Sequence, residues 1–205
     1  RLGLALPAAT RARQDWDIAA YELYLRARQL VVARADYETA ITLLDTALQI
    51  EPEFADAWAE KAAALVLGAY TLGLSDETVA ESRAMSDEAW LAASHAVEIS
   101  PDHQLGLAVQ GLVRLSQWRF IEARVFMERA VEQPNPDDNA VLWYAILLAM
   151  TADLEGALDV LEAGLQSNPA APNLLRWRIF IWMYQGRYQE VWDSPPTDPA
   201  IEMRE

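Results

Sequence analysis

The sequence contains a segment that recurs at a fixed spacing of 34 residues. Trp118–Ala123 is followed by Ala152–Ala157 and then by Gly186–Val191, each 34 positions further along the chain. The residues that close successive units keep the same spacing and are Pro101, Asn135 and Pro169. A unit of this length holds two helices with their turns, and its apolar faces stay exposed unless a neighbouring unit covers them. The repeat therefore predicts an all-α solenoid of stacked helical hairpins.

The composition excludes several classes of function. The formal net charge of −15 excludes nucleic acid as a partner, since phosphate binding requires clustered Lys and Arg side chains. Cysteine is absent, so disulfide bonds and thiol chemistry are excluded. The apolar runs are shorter than the roughly 18 residues of a membrane helix, so a membrane is not expected as a partner. With 53% hydrophobic and 23% charged residues, the 205-residue chain is predicted to form one elongated array.

We divide the chain into three parts. Residues 1–15 are interpreted as a linker or entry segment, 16–192 as the repeat domain and 193–205 as a proline-rich tail. The predicted repeats span about 18–52, 53–101, 102–135, 136–169 and 170–192. We interpret the opening residues as a cut through a linker, which predicts that the chain is a fragment of a longer protein.

The second repeat is predicted to be longer than the others. Pro52 and Pro101 occupy equivalent positions, but they lie 49 residues apart, which is 34 plus 15. Within the additional residues, Gly73 is predicted to end one helix and Ser75 or Asp76 to cap the next. We therefore expect each helix of this hairpin to gain about two turns.

No arrangement of residues in the sequence indicates catalysis. His95 and His103 lie eight residues apart across a predicted helix break and match no zinc-binding spacing. Glycine-rich phosphate loops and the sequence context of a nucleophilic serine are absent. Carboxylates are abundant, and those in the first turns of predicted helices are explained by the helix dipole. We predict no enzymatic activity, no cofactor and no metal.

The repeat pattern over about 21–191 resembles the tetratricopeptide family, which implies a right-handed solenoid of about 4.5 helix–turn–helix repeats. A narrower resemblance lies in Ala20–Arg26 and Ala40–Ala55. These stretches are similar to the C-terminal repeat segment of bacterial signalling proteins that carry a winged-helix or adenylate-cyclase domain and often a TolB-like segment. The narrower resemblance implies a regulatory module of such a protein.

In tetratricopeptide arrays the first helix of each repeat lines a concave groove, and the resemblance assigns groove positions in this chain. The predicted groove residues are mostly apolar or aromatic and are Leu105, Val109, Leu112, Leu142, Trp143, Ile146, Met150, Trp177, Phe180 and Tyr184. An exposed apolar groove is typical of a surface that captures a helix or peptide. A shift of one residue in this register instead places Trp143 and Trp177 in the core between helices.

The family also has a clamp of Lys, Asn and Arg side chains that holds the two carboxylates at the end of an acidic peptide. The matching positions here hold Leu25, Gln29, Glu60, Leu105 and Val109. None of them supplies a cation, and only Gln29 supplies an amide. An acidic C-terminal peptide is therefore not an expected ligand, and the charge of −15 repels it further.

These observations predict a non-catalytic protein–protein interaction scaffold. It would bind an apolar helix or peptide in the groove, with Trp143 and Trp177 as anchors. The alternative is a structural unit for homo-oligomerisation, a homodimer in the simplest case, whose groove is covered by a second copy. The ends of the chain itself or a neighbouring domain would cover the groove equally well. The cytoplasm is the predicted compartment, with the periplasm as the alternative.

Overall fold

The structure is a computed structural model that describes residues 16–72 and 75–194. These residues form ten α-helices and no β-strand. The helices are α1 (Ile18–Val32), α2 (Tyr37–Ile50), α3 (Ala55–Thr71), α4 (Asp76–Ile99), α5 (Gln104–Ser116), α6 (Phe120–Val131), α7 (Asp138–Met150), α8 (Leu154–Ser167), α9 (Pro172–Tyr184) and α10 (Tyr188–Asp193). None of these described helices is both long and apolar enough to cross a bilayer. The predicted entry segment 1–15, the helix end at Gly73 and the tail from 195 onward lie outside the described residues.

The helices form two layers that follow the order of the chain. Each helix packs against the next, and further contacts join α1 to α3, α3 to α5, α5 to α7 and α7 to α9. Among the described helices, the backbones of even-numbered ones stay further apart, and α4 meets α6 through side chains, with the rings of Trp90 and Phe126 edge to face at 5.7 Å. The odd-numbered helices therefore lie closer together and form the inner, concave layer of a curved stack. This is the all-α solenoid that the 34-residue repeat predicts.

Small residues allow neighbouring helices to pack closely. Fully buried alanines recur along the array and include Ala20, Ala27, Ala40, Ala47, Ala57, Ala89, Ala93, Ala96, Ala123, Ala130, Ala140 and Ala157. Gly111 in α5 lies so close to α6 that a Cβ atom at this position would be 2.5 Å from Cγ of Met127. Larger side chains such as Leu44 and Leu161 fill the remaining space and are fully buried. Alternation of small and large residues gives the dense packing of a protein core.

The same left-handed turn joins the two helices in four of the hairpins. The residue with positive φ is Arg34, Trp118, Ala152 or Gly186, with values of 53, 60, 65 and 72°. In each turn the next N–H donates to the carbonyl five residues earlier, as Arg119 N–H does to Arg114 at 2.9 Å. The recurring motif of the sequence begins at this left-handed residue, so the repeat marks the point where each hairpin reverses.

The long hairpin is extended unequally. Helix α3 has 17 residues and α4 has 24, whereas α5 has 13 and α6 has 12. The first helix thus gains about one turn and the second about three, so the expected two turns each are not observed. The reason is the position of the cap, since Oγ of Ser75 accepts the N–H of Thr78 and starts α4 early.

The contact at Gly111 predicts that Gly111→Ala destabilises the protein by about 1–2 kcal/mol, because overpacking outweighs the gain in helix propensity. The added methyl would meet Cγ of Met127, a fully buried side chain, and the backbone oxygen of Ala123 at 3.1 Å. The measurement is the free energy of unfolding in urea.

The matched control is Gly68→Ala in α3. There the nearest atom to the added Cβ is the terminal Cε of Met85 at 2.9 Å, and a flexible side-chain end can move. We expect this variant to match or exceed wild-type stability. Equal destabilisation by both substitutions would contradict the packing argument.

Candidate functional site

Two neighbouring hollows lie on the inner layer. The same helices supply both: α3 contributes Glu60 to the first and Leu67 to the second, while α5 contributes Leu105 and Leu112. We call the first, with a volume of about 680 Å³, the polar pocket, and the second, of about 540 Å³, the apolar pocket. Both volumes fall in the range of protein binding sites.

The apolar pocket is formed by three inner helices and two turns. Its lining residues are Arg34, Leu67, Tyr70, Leu112, Leu115, Ser116, Trp118, Leu142, Trp143, Ile146 and Met150. Met150 and Trp118 are 51% and 73% exposed, so the rim offers large apolar surface to solvent. Trp143 is only 3% exposed and forms part of the pocket wall from within the core.

Five of the predicted groove residues meet in this pocket: Leu112, Leu142, Trp143, Ile146 and Met150. Sequence reasoning did not place Arg34 and Trp118 here, because they belong to turns and not to helix faces. One signal for Trp118 exists in the sequence. It is a large aromatic residue at the turn position where the next two repeats carry Ala152 and Gly186.

The other five predicted residues lie elsewhere. Leu105 lines the polar pocket, and Val109 is fully buried between helices. Trp177, Phe180 and Tyr184 form a row along α9, with successive ring centroids 5.9 Å apart. None of these three lines the apolar pocket, so the structure separates the aromatic surface of α9 from the pocket around α7.

The polar pocket lies between the first turns of α3, α5 and α7 and the side of α1. Its lining residues are Tyr24, Arg28, Asp56, Glu60, Asp102, His103, Gln104, Leu105, Gln133, Pro134, Asn135, Pro136, Asp137 and Asp138. Nδ1 of His103 accepts the N–H of Gly106 at 3.2 Å, so Nε2 carries the proton and donates to Oδ1 of Asp56 at 2.9 Å. This hydrogen bond holds the pKa of Asp56 below its usual value.

Glu60 is a buried carboxylate in the wall of the polar pocket. It is 4% exposed, and burial raises the pKa of its carboxyl to about 7, against the opposing charge of Arg28 and with the help of Asp137 and Asp56. The guanidinium of Arg28 donates its hydrogen bond to the Tyr24 hydroxyl at 2.7 Å. Within the described chain, no hydrogen bond or ion pair involves Glu60.

One hydrogen bond crosses the concave face. Nη2 of Arg34, in the first turn, donates to Oδ1 of Asn139 at the start of α7 at 3.2 Å, although the two residues are 105 positions apart in the chain. Arg34 also lines the apolar pocket. The solenoid therefore curves enough for its first and fourth hairpins to enclose the groove between them.

The site offers charged side chains in one pocket and apolar side chains in the other. Among the described residues, no group of three or more His, Asp or Glu side chains lies close enough together to hold a metal ion. The two histidines are separated, with His95 beside Glu98 and Trp58 and His103 beside Asp56. The arrangement is suited to binding a ligand that presents both charged and apolar groups.

Two layers of antiparallel helical hairpins around a concave groove are the architecture of the tetratricopeptide (TPR) class of α-solenoid. Known structures of this class share the fold. A thermophilic TPR protein from Thermus thermophilus superposes with a TM-score of 0.65 and 17% identity over 85% of this chain and 84% of its own. Human IFIT1, solved as a dimer with PPP-AAAA, gives 0.58 and 17% over 76% of this chain and 34% of its own.

The TPR domain of Sgt2 from Aspergillus fumigatus gives a TM-score of 0.50 and 18% identity over 68% of this chain and 83% of its own. At such identities the likeness establishes the fold alone. No protein-family model and no curated protein matches the sequence.

The raised pKa of Glu60 predicts that the protein loses stability as the pH rises from 4.5 to about 7. The folded state holds this proton more tightly than the unfolded chain, so the contribution is complete below pH 4.5 and is lost as the pH passes about 7. At about 1.4 kcal/mol per pH unit, the loss is about 3 kcal/mol. Urea unfolding of wild type and Glu60→Gln across this range measures it.

The Glu60→Gln variant should lack this part of the pH dependence, because glutamine does not titrate. The control is Glu162→Gln, an exposed position on α8, which should behave as wild type. Identical pH dependence in wild type and Glu60→Gln would show that the buried carboxyl does not titrate as described.

Proposed function

We propose that this protein is a non-catalytic interaction scaffold that binds an apolar helix or peptide in its concave groove. The observation that carries the proposal is the apolar pocket between α3, α5 and α7, with a volume of about 540 Å³. Its rim residues Tyr70, Trp118 and Met150 are all more than half exposed. Large apolar side chains that converge on a concave surface are typical of a protein-binding site.

We further propose that the chain is the regulatory module of a larger bacterial signalling protein. The support for this is the similarity of Ala20–Arg26 and Ala40–Ala55 to the repeat segments of such proteins. In the structure these stretches lie in α1 and α2 and in the turn that leads to α3.

The proposal predicts that Met150→Glu weakens peptide binding about tenfold or more, because a charge would enter the apolar contact. The probe is a phage-displayed library of random peptides about 12 residues long, selected on the wild-type protein. Dissociation constants of the selected peptides are then measured by fluorescence anisotropy. Met150 is preferred to Trp143, because truncation of a buried tryptophan also destabilises the fold.

The matched control is Val125→Glu on the outer helix α6, where the valine is 54% exposed and lies away from the pocket. This variant should bind the selected peptides as wild type does. Selection of no peptide, or equal binding by Met150→Glu and wild type, would contradict the proposed function.

A second candidate function, homo-oligomerisation, is supported by the last described hairpin. Its exposed apolar residues form one end of the array and are Phe180, Met183, Tyr184, Tyr188 and Trp192. Trp192 is 87% exposed, and a second copy of the chain would cover such a surface.

This candidate predicts a dimer in light scattering across a concentration series, and a monomer after Trp192→Glu, because the new charge would lie in the apolar contact. Ile121→Glu, at an exposed position on α6, is the control and should remain dimeric. A monomeric wild-type protein over the whole series would exclude this candidate.

A further inference from the structure

Glu60 differs from every other carboxylate that lines the polar pocket. The others have polar partners: Asp56 has His103 at 2.9 Å, Asp137 has the N–H of Asn139 at 2.9 Å, Asp138 has Asn168 at 2.8 Å, and Asp102 has Arg129 at 3.6 Å. Glu60 has no such partner in the described chain and is the most deeply buried of the five. Among the five carboxylates of this pocket, Glu60 is thus the one without a protein partner in the described chain.

A deeply buried carboxylate side chain without a partner is rare in native proteins, because burial removes much of its hydration without replacement. The guanidinium that lines the same pocket, that of Arg28, does not form an ion pair with it and donates to the Tyr24 hydroxyl. The pocket beside Glu60 is open and has a volume of about 680 Å³. A group that enters this pocket can therefore supply the hydrogen bonds that the protein does not.

The charge of the pocket selects a cation. Five carboxylates line it, against the single guanidinium of Arg28. His103 is already engaged with Oδ1 of Asp56 at 2.9 Å and with the N–H of Gly106 at 3.2 Å. The whole chain carries a net charge of −15, which attracts a basic partner at longer range.

The geometry favours an organic cation over a metal ion. The acidic side chains here are spread around a wide pocket, and no three metal-binding side chains in the described part of the chain converge on one point. An ammonium or guanidinium group has three or five N–H donors and reaches separated oxygens through them. Such a group suits one buried carboxylate that is surrounded by other carboxylates which already have polar partners.

The polar and apolar pockets have a fixed spacing. On α3, Glu60 and Leu67 are seven residues apart, and on α5, Leu105 and Leu112 are also seven residues apart. Seven residues are two helical turns, so these pairs lie on one face of each helix and about 10 Å apart. A single peptide can span this distance and place one side chain in each pocket.

We propose that the polar pocket binds a Lys or Arg side chain of a partner peptide with Glu60 as its counter-ion, while the apolar pocket holds a large apolar side chain of the same peptide about 10 Å away. This inference rests on the proposed peptide-binding function and adds the chemistry of the partner. In a helical peptide the two side chains are about seven residues apart, and in an extended one about three.

The test uses the peptides selected from the phage library on the wild-type protein. We expect them to be enriched in Lys or Arg at a fixed distance from a large apolar residue. A double-mutant cycle then combines Glu60→Gln with replacement of the peptide Lys by norleucine, with binding measured by fluorescence anisotropy. The Lys peptide should bind Glu60→Gln about tenfold more weakly than wild type, and the norleucine peptide should bind both equally.

Glu162→Gln on α8 is the control and should bind the Lys peptide as wild type does. Thermal unfolding of Glu60→Gln verifies that it is folded. Selected peptides that lack basic residues, or a cycle without coupling, would overturn the inference. If those peptides still bind Met150→Glu more weakly than wild type, the proposed function remains intact. Selection of no peptide at all would overturn both.

Discussion

Close contact between helices at small side chains is the interaction on which the rest of this structure depends. A helical hairpin of this length cannot bury its own apolar faces, so each hairpin is stable only against its neighbours. Alanines such as Ala27 and Ala96, and Gly111 where α5 meets α6, let the helix axes approach. Because the odd-numbered helices also contact one another and the backbones of the even-numbered ones do not, the stack curves toward the odd-numbered layer. The concave groove is thus a direct consequence of the packing that stabilises the fold.

That curvature places two unfavourable features side by side. In one pocket the side chain of Glu60 is buried with no partner among the described residues, and in the other Trp118 and Met150 keep large apolar surfaces in water. Each of them reduces the stability of the isolated chain. A ligand with one cationic and one apolar side chain would relieve both at once. The energetic cost of these two features and the chemistry of the proposed ligand therefore have the same origin.

The sequence predicted the helices and their stacking well, because helix periodicity and the 34-residue repeat are local properties. It predicted the groove less completely. Leu142 and Ile146 line the apolar pocket, whereas Val109 is enclosed between helices. The register of a helix gives the face of each residue but not the depth at which neighbouring helices cover it. The long hairpin shows the same limit. The sequence gives the number of additional residues, but their division between α3 and α4 depends on where Ser75 caps the helix.

The sequence by itself determined the all-α repeat architecture, the lengthened second hairpin and the acidic net charge. The tertiary structure decided which side chains share a pocket. Glu60 stands out in the sequence only as a mismatch to a known clamp, and its isolation follows from Arg28 donating to Tyr24 instead. Likewise Arg34 reaches Asn139, 105 positions away, because the curvature of the solenoid brings the first hairpin near the fourth. Contacts between distant repeats depend on the accumulated curvature of every intervening hairpin, and no single repeat encodes that curvature.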